Sequence, residues 1–165
     1  MQYLKRNLRL LLAFSLVISF TACSVSKEGR SIRKSINGDW NLQSVNVEGI
    51  DSKLKAKVFN EADLECFIGS SWNFVSNNGM GSYTLVGNTS GCSSLTRSIR
   101  WSVYEPKGAD KEFQFKRLDD KKNPMDDNNG FRMAVGTLTE TTMQLKSAIT
   151  FEGKAGNIVY NFVKK

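Results

Sequence analysis

Histidine is missing from all 165 residues, and only three cysteines are present. Without an imidazole the chain has no Ser-His or Cys-His nucleophile pair, no histidine general acid or base, and no histidine-containing zinc site. Three thiols also fall short of a four-thiolate zinc site. No carboxylate is spaced from Lys or Tyr in a way that selects a catalytic pair, so the sequence reads as a non-enzyme with no cofactor and no metal. The acid-rich stretch Asp119-Asp120, Asp126-Asp127 with Asn128-Asn129-Gly130 lacks the ligand order of a calcium loop and has Lys121 and Lys122 among its acids. It reads as a solvated loop. Long hydrophobic runs are scarce too. The apolar run, Leu8 to Phe20, is about a dozen residues, against the roughly 20 that a bilayer core needs.

That run has a different reading. It follows a basic head of Lys5, Arg6 and Arg9 and ends on small residues, the tripartite pattern of a secretory signal. Phe20-Thr21-Ala22-Cys23 resembles a bacterial lipobox. The resemblance implies cleavage before Cys23, a diacylglycerol thioether and palmitate on that residue, and a membrane contact made through the N-terminal lipid anchor. Residues 1–22 are then signal peptide. Ser24, in place of aspartate, points onward to the outer membrane of a Gram-negative cell envelope, and the lack of an acidic cluster over Ser24 to Arg30 favours its periplasmic face. Removing Lys5, Arg6 and Arg9 lowers the formal charge from +7 to +4. With no clustered basic face visible in the sequence, no nucleic-acid partner is expected.

Residues 23–37 are polar, serine-rich and basic with isolated Ile32 and Ile36, which predicts a flexible tether. From residue 38 to 165 the chain breaks into short alternating runs separated by Gly, Asn, Asp and Ser, the mark of an antiparallel all-β domain. Eight strands are predicted: Trp40 to Glu48, Trp72 to Ser76, Ser82 to Val86, Ser98 to Tyr104, Glu112 to Leu118, Phe131 to Leu138, Met143 to Phe151 and Asn157 to Val163. In the first, Trp40 and Leu42 fall out of phase with Val45 and Val47, which predicts a bulge. Asn77-Asn78-Gly79 predicts a tight turn. Eight strands in meander order close most naturally into an up-and-down barrel, because closure removes exposed edges. Asp51 to Asp63 carries Leu54, Val58, Phe59 and Ala62 at helical spacing, with Asp51 or Ser52 as N-cap, and predicts one short helix across a barrel end.

Gly38-Asp39-Trp40 resembles the G-x-W opening of lipocalins. The longer pattern Cys66-Phe67-Ile68-Gly69-Ser70-Ser71-Trp72-Asn73-Phe74, Gly81-Ser82-Tyr83-Thr84-Leu85 and Gly91-Cys92, with Phe151-Glu152-Gly153-Lys154, is similar to bacterial lipocalin-like lipoproteins. The resemblance covers about residues 37–163 and implies a binding protein whose Trp40 plugs the closed end. Two family elements lack a clear counterpart: the T-D-Y element, and the basic residue that crosses the tryptophan, since only Lys164 and Lys165 follow Phe162. Once lipid claims Cys23, Cys66 and Cys92 remain for a disulfide in an oxidising compartment. The inward aromatic side chains either line a pocket or fill the barrel. Trp72, Tyr83, Trp101, Phe115, Met133 and Tyr160 are the candidate ligand-binding residues at the open mouth. The expected function is binding of a small hydrophobic ligand without catalysis. The alternative is a structural or protein-interaction lipoprotein with a filled barrel and an envelope protein partner.

Overall fold

The computed structural model describes residues 26–50, 56–87 and 90–165. The expected signal peptide and the lipidation site Cys23 lie outside the described residues. Helix α1 (Lys27–Ile36) is followed by β1 (Gly38–Glu48), β2 (Lys57–Val58), β3 (Ala62–Asp63), β4 (Ser71–Val75), β5 (Met80–Leu85), β6 (Leu95–Tyr104), β7 (Glu112–Leu118), β8 (Phe131–Leu138), β9 (Thr142–Phe151) and β10 (Lys154–Lys164). β1 and β4 to β10 form a closed antiparallel barrel in the order β1-β10-β9-β8-β7-β6-β5-β4, and β2 pairs only with β3. The eight expected barrel strands are all present, with bounds shifted by three residues or fewer.

Local sequence accounts for the barrel's shape. β1 pairs Leu42 with Phe162 but Ser44 with Asn161, so Gln43 is the extra residue of the bulge that the phase change predicts. The Asn77-Asn78-Gly79 turn depends on its glycine. Gly79 has φ +68°, and a Cβ there would lie 2.8 Å from the Trp101 carbonyl oxygen. Glu152 (φ 50°) and Gly153 (φ 76°) supply the paired positive φ values of a two-residue hairpin turn between Phe151 and Lys154.

Two expectations are corrected. The helix expected over Asp51 to Asp63 does not form in its described part: Val58 pairs with Ala62 and Lys57 with Asp63 in a short antiparallel hairpin. Leu54 and the expected N-caps Asp51 and Ser52 lie outside the described residues. The stretch expected as a tether contains α1 instead. Ser26 caps it, accepting from the Gly29 N–H at 2.9 Å, Glu28 lies in the first turn, and Arg33 and Lys34 complement the helix dipole in the last. Ile32 and Ile36, isolated in sequence, are one turn apart and share a face, with Ile36 fully buried in the core and Ile32 packed against it. A ten-residue helix is marginal alone, so it is this docking that holds it.

α1 covers the narrow end of the barrel. Trp40 is fully buried there and donates through Nε1 to the Ile36 carbonyl at 2.8 Å. Lys164 lies directly opposite Trp40 across β1 and β10, with Nζ 5.1 Å from the ring centroid. The chain therefore does carry a cation across its first-strand tryptophan. Proximity to the chain end hides it in sequence.

Candidate functional site

The opposite, wide end is closed by the β2–β3 hairpin. Its turn runs Val58-Phe59-Asn60-Glu61, with Phe59 and Asn60 both at φ 52° and the Glu61 N–H donating to the Val58 carbonyl. Left-handed backbone is unusual for a bulky residue, and it stores strain of roughly 1–3 kcal/mol. It also aims the Phe59 ring into the barrel. That ring lies 5.0 Å from Phe115, 5.3 Å from Phe67 and 5.4 Å from both Phe131 and Tyr160, and is stacked on the last of these.

The six candidate residues share the inward face, as expected. Trp72 and Tyr83 have ring centroids 4.7 Å apart, and Phe115 lies 6.0 Å from Trp72. Trp101 sits nearer the narrow half, stacked on Phe113, with Nε1 donating to the Met80 carbonyl. Each of Trp72, Tyr83, Trp101, Phe115, Met133 and Tyr160 is 2% exposed or less. Of the two readings of the inward aromatics, the filled interior is the one found around these six.

A charged clasp fixes the plug. Glu61, next to the turn, accepts from Arg97 Nε at 2.8 Å and Nη2 at 3.0 Å, from the Tyr83 hydroxyl at 2.7 Å, and from Arg117 Nη1 at 2.8 Å. Arg117 also donates to both oxygens of Asp126, at 2.9 and 2.6 Å, and Asn60 donates to the same carboxylate at 3.2 Å. Two arginines and two carboxylates balance. Burial would raise the Glu61 carboxyl, but hydrogen bonds from Arg97, Tyr83 and Arg117 outweigh it and bring the pKa down to about 2. Burial and the hydrogen bond to Glu61 push the Tyr83 phenol far above its ordinary value. Asp126, read from sequence as part of a solvated loop, is held below the usual carboxylate range by Arg117. Behind the hairpin, a disulfide joins Cys66 in a 3₁₀ turn to Cys92 in the loop between β5 and β6, with Cα atoms 5.4 Å apart.

Beside the plug the barrel wall is incomplete. The β8–β9 ladder begins at Ala134–Lys146, so Phe131 to Met133 pair with β7 while the facing residues of β9 pair only with β10. A pocket of about 430 Å³ opens at this gap. Its apolar lining includes Phe59, Phe131, Ile149, Phe151, Ile158 and Tyr160, and Ser147, Thr150, Lys57 and Arg132 are its polar groups. Burial pushes the Tyr160 phenol up, against an opposing hydrogen bond with Ser147. Of the six candidates, only Tyr160 reaches this pocket.

Sequence reasoning missed Phe59, Glu61, Arg97, Arg117 and Ile149 as parts of a site. A signal for two of them was available. Arg97 has the inward parity of Ile99 and Trp101, and Arg117 that of Phe113 and Phe115. An arginine at an inward position demands a buried carboxylate.

A closed eight-stranded up-and-down barrel, plugged by a first-strand tryptophan at one end and opening beside a loop at the other, defines a lipocalin-like protein. In agreement, the model of the lipocalin-like domain family matches residues 36–145, about two thirds of the chain, and the protein belongs to that family. Among solved structures it is similar to a complex of bovine odorant-binding protein with a selenium-containing odorant, at 9% identity and a TM-score of 0.40 over 88% of this chain and 78% of that one. It is also similar to the odorant-binding protein from bovine nasal mucosa, at 9% identity and a TM-score of 0.36 over 87% and 77% of the two chains. No curated protein matches the sequence significantly.

Proposed function

We propose that the protein is a lipid-anchored binding protein of the bacterial cell envelope, held through Cys23, that takes up a small hydrophobic molecule at the wide end of its barrel without transforming it. The observation that carries this reading is the pocket at the β8–β9 gap, with its aromatic and aliphatic walls and a few polar groups. Its volume of about 430 Å³ lies within the range of small-molecule sites. Phe59 is its movable wall. The ring belongs to a short hairpin outside the barrel sheet, and withdrawing it relieves strained backbone and joins the pocket to the interior. Burial of an apolar ligand against such walls reaches micromolar affinity, about 8 kcal/mol.

Indole fluorescence of detergent-solubilised protein, titrated with fatty acids, retinoids and porphyrins, tests the binding. Saturable quenching that weakens in Ile149→Ser is the expected result. The anchor is tested separately: wild type should partition with membranes and carry the mass of acyl chains, and Cys23→Ala should not. Recovery of unmodified wild type in the soluble fraction would overturn that half of the proposal.

The filled interior favours a second reading, an envelope protein that acts through contacts with a protein partner. Absence of saturable quenching by all three ligand classes decides for it.

A further inference from the structure

The outer wall of the barrel carries a cluster of cations, of which Arg132 also reaches the mouth pocket. Arg100 on β6 lies directly opposite Lys116 on β7, and Gln114 on β7 directly opposite Arg132 on β8. Like charges directly opposite on neighbouring strands destabilise a sheet. A fourth cation comes from α1: Arg33 donates through Nε to the Ser76 carbonyl at 2.7 Å and lies over the Trp101 ring, 5.3 Å from its centroid. These four cations surround a groove of about 680 Å³ on the outside of β6, β7 and β8.

The groove is shaped to hold them. At one end Gly79 makes room for Arg33, since a Cβ there would lie 3.1 Å from Nη2. At the other, Gly130 leaves the Lys116 stem free, a Cβ there lying 3.2 Å from Cγ. Lys116 Nζ donates to the Asn128 side-chain oxygen at 2.7 Å, so it is held over the groove. Among the described residues, Arg33, Arg100 and Lys116 have no carboxylate within 4 Å. Arg132 differs in having Glu112 at 3.7 Å. No clustered basic face is visible in the sequence because the cluster is assembled from four separate elements.

We propose that this groove binds a phosphate-bearing ligand with more than one anionic oxygen cluster, spanning from Arg33 to the Arg100–Lys116 pair. Arginine forks match phosphate geometry, and lysine supplies a point charge beside them. The volume exceeds what inorganic phosphate needs. A bound polyanion also explains the unrelieved Arg100–Lys116 pair, because it turns a repulsion into two attractions.

The same phosphate chemistry is offered by a soluble phosphorylated molecule and by a lipid headgroup. The full-length protein, in non-ionic detergent, is titrated by calorimetry with pyrophosphate and with bis(glycerophospho)glycerol, the two-phosphodiester headgroup of a diphosphatidyl lipid, in 20 and 300 mM salt. Saturable binding of either probe that weakens at the higher salt is expected, and the tighter probe identifies the source. Arg100→Gln should weaken that binding about tenfold and raise the melting temperature of the unliganded protein. Ser102→Ala, on the same strand face, should lower affinity less and leave the melting temperature unchanged. Lack of saturable binding by both probes, or equal affinity in Arg100→Gln and wild type, overturns the proposal.

Discussion

The two ends of the barrel are closed by different physics. At the narrow end Trp40, Ile36 and the Lys164 stem pack together around one buried indole N–H to helix carbonyl bond, with a cation over the ring, and the Arg33–Ser76, Lys164–Ser35 and Lys111–Glu28 contacts lie at the rim. At the wide end a strained aromatic plug is held by two arginines, two carboxylates and a disulfide. Apolar packing is indifferent to salt, pH and redox state. A charged clasp answers to the first two and a disulfide to the third. Closure of the wide end should therefore respond to acid and to reductant more than closure of the narrow end.

The largest test of that contrast is Glu61→Ala. It leaves Arg97 and Arg117 facing one another without their shared carboxylate, and breaking a buried pair in this way costs about 3–5 kcal/mol. The guanidinium midpoint should fall steeply, and Glu61→Gln, which retains an acceptor, should fall less. The wild type tests the same group through acid. Because the folded-state pKa of Glu61 lies below its ordinary 4.5, its contribution is complete above that pH and is lost as pH falls through about 2. Asp126 acts in the same direction. Stability should be level from pH 7 to 5 and should fall between about 4.5 and 2, with the decline blunted in Glu61→Gln.

Next comes the disulfide. A closed loop of 26 residues restrains the unfolded chain by about 3.5 kcal/mol in the chain-entropy model. Cys66→Ala with Cys92→Ala should lower stability by nearly that amount. Hydrogen exchange should quicken over residues 56–70 while β1 and β10 near Trp40 stay protected. Uniform loss of protection at both ends would refute the idea that the ends are independent.

Phe59→Gly should cost less. Losing a buried phenyl costs about 3–5 kcal/mol, and relief of left-handed strain returns about 1–3, for a net loss near 2 kcal/mol. The same change enlarges the mouth pocket, so fatty-acid quenching of Trp72 should strengthen as stability falls. Weaker quenching would mean that the Phe59 ring forms part of the ligand's wall and does not occupy its place.

What sequence could reveal differs between the ends for the same reason. The barrel strands announce themselves by alternation, and the Gln43 bulge by a break in it, because both are local and periodic. The hairpin at the wide end is local as well, but Val58, Phe59 and Ala62 satisfy helical spacing, and a Phe-Asn turn lacks the Asn-Gly or Asp-Gly signal of a tight hairpin. The preference for left-handed Phe59 comes from the interior that its ring fills, which is tertiary. The clasp joins residues 61, 97, 117 and 126 through barrel closure, and no short window contains more than two of them. At the narrow end α1 was hidden by composition, since two isoleucines among basic and serine residues look solvated until a barrel end receives them.

The smallest effect sharpens the comparison from the narrow side. Lys164 Nζ stands over the Trp40 ring and also donates to the Ser35 carbonyl at 3.4 Å, near the end of α1. A cation at an aromatic face is worth about 0.5–1 kcal/mol where it keeps access to water, and a long weak hydrogen bond adds little. Lys164→Met keeps the stem that covers Trp40 and removes only the charge, so stability should fall by no more than about 1 kcal/mol. Because the loss comes from a single partly exposed cation, it should shrink in high salt, and ligand quenching at the wide end should be unchanged. Altered ligand affinity in Lys164→Met would mean that the two ends are coupled through β1 and β10, and that the narrow end takes part in binding.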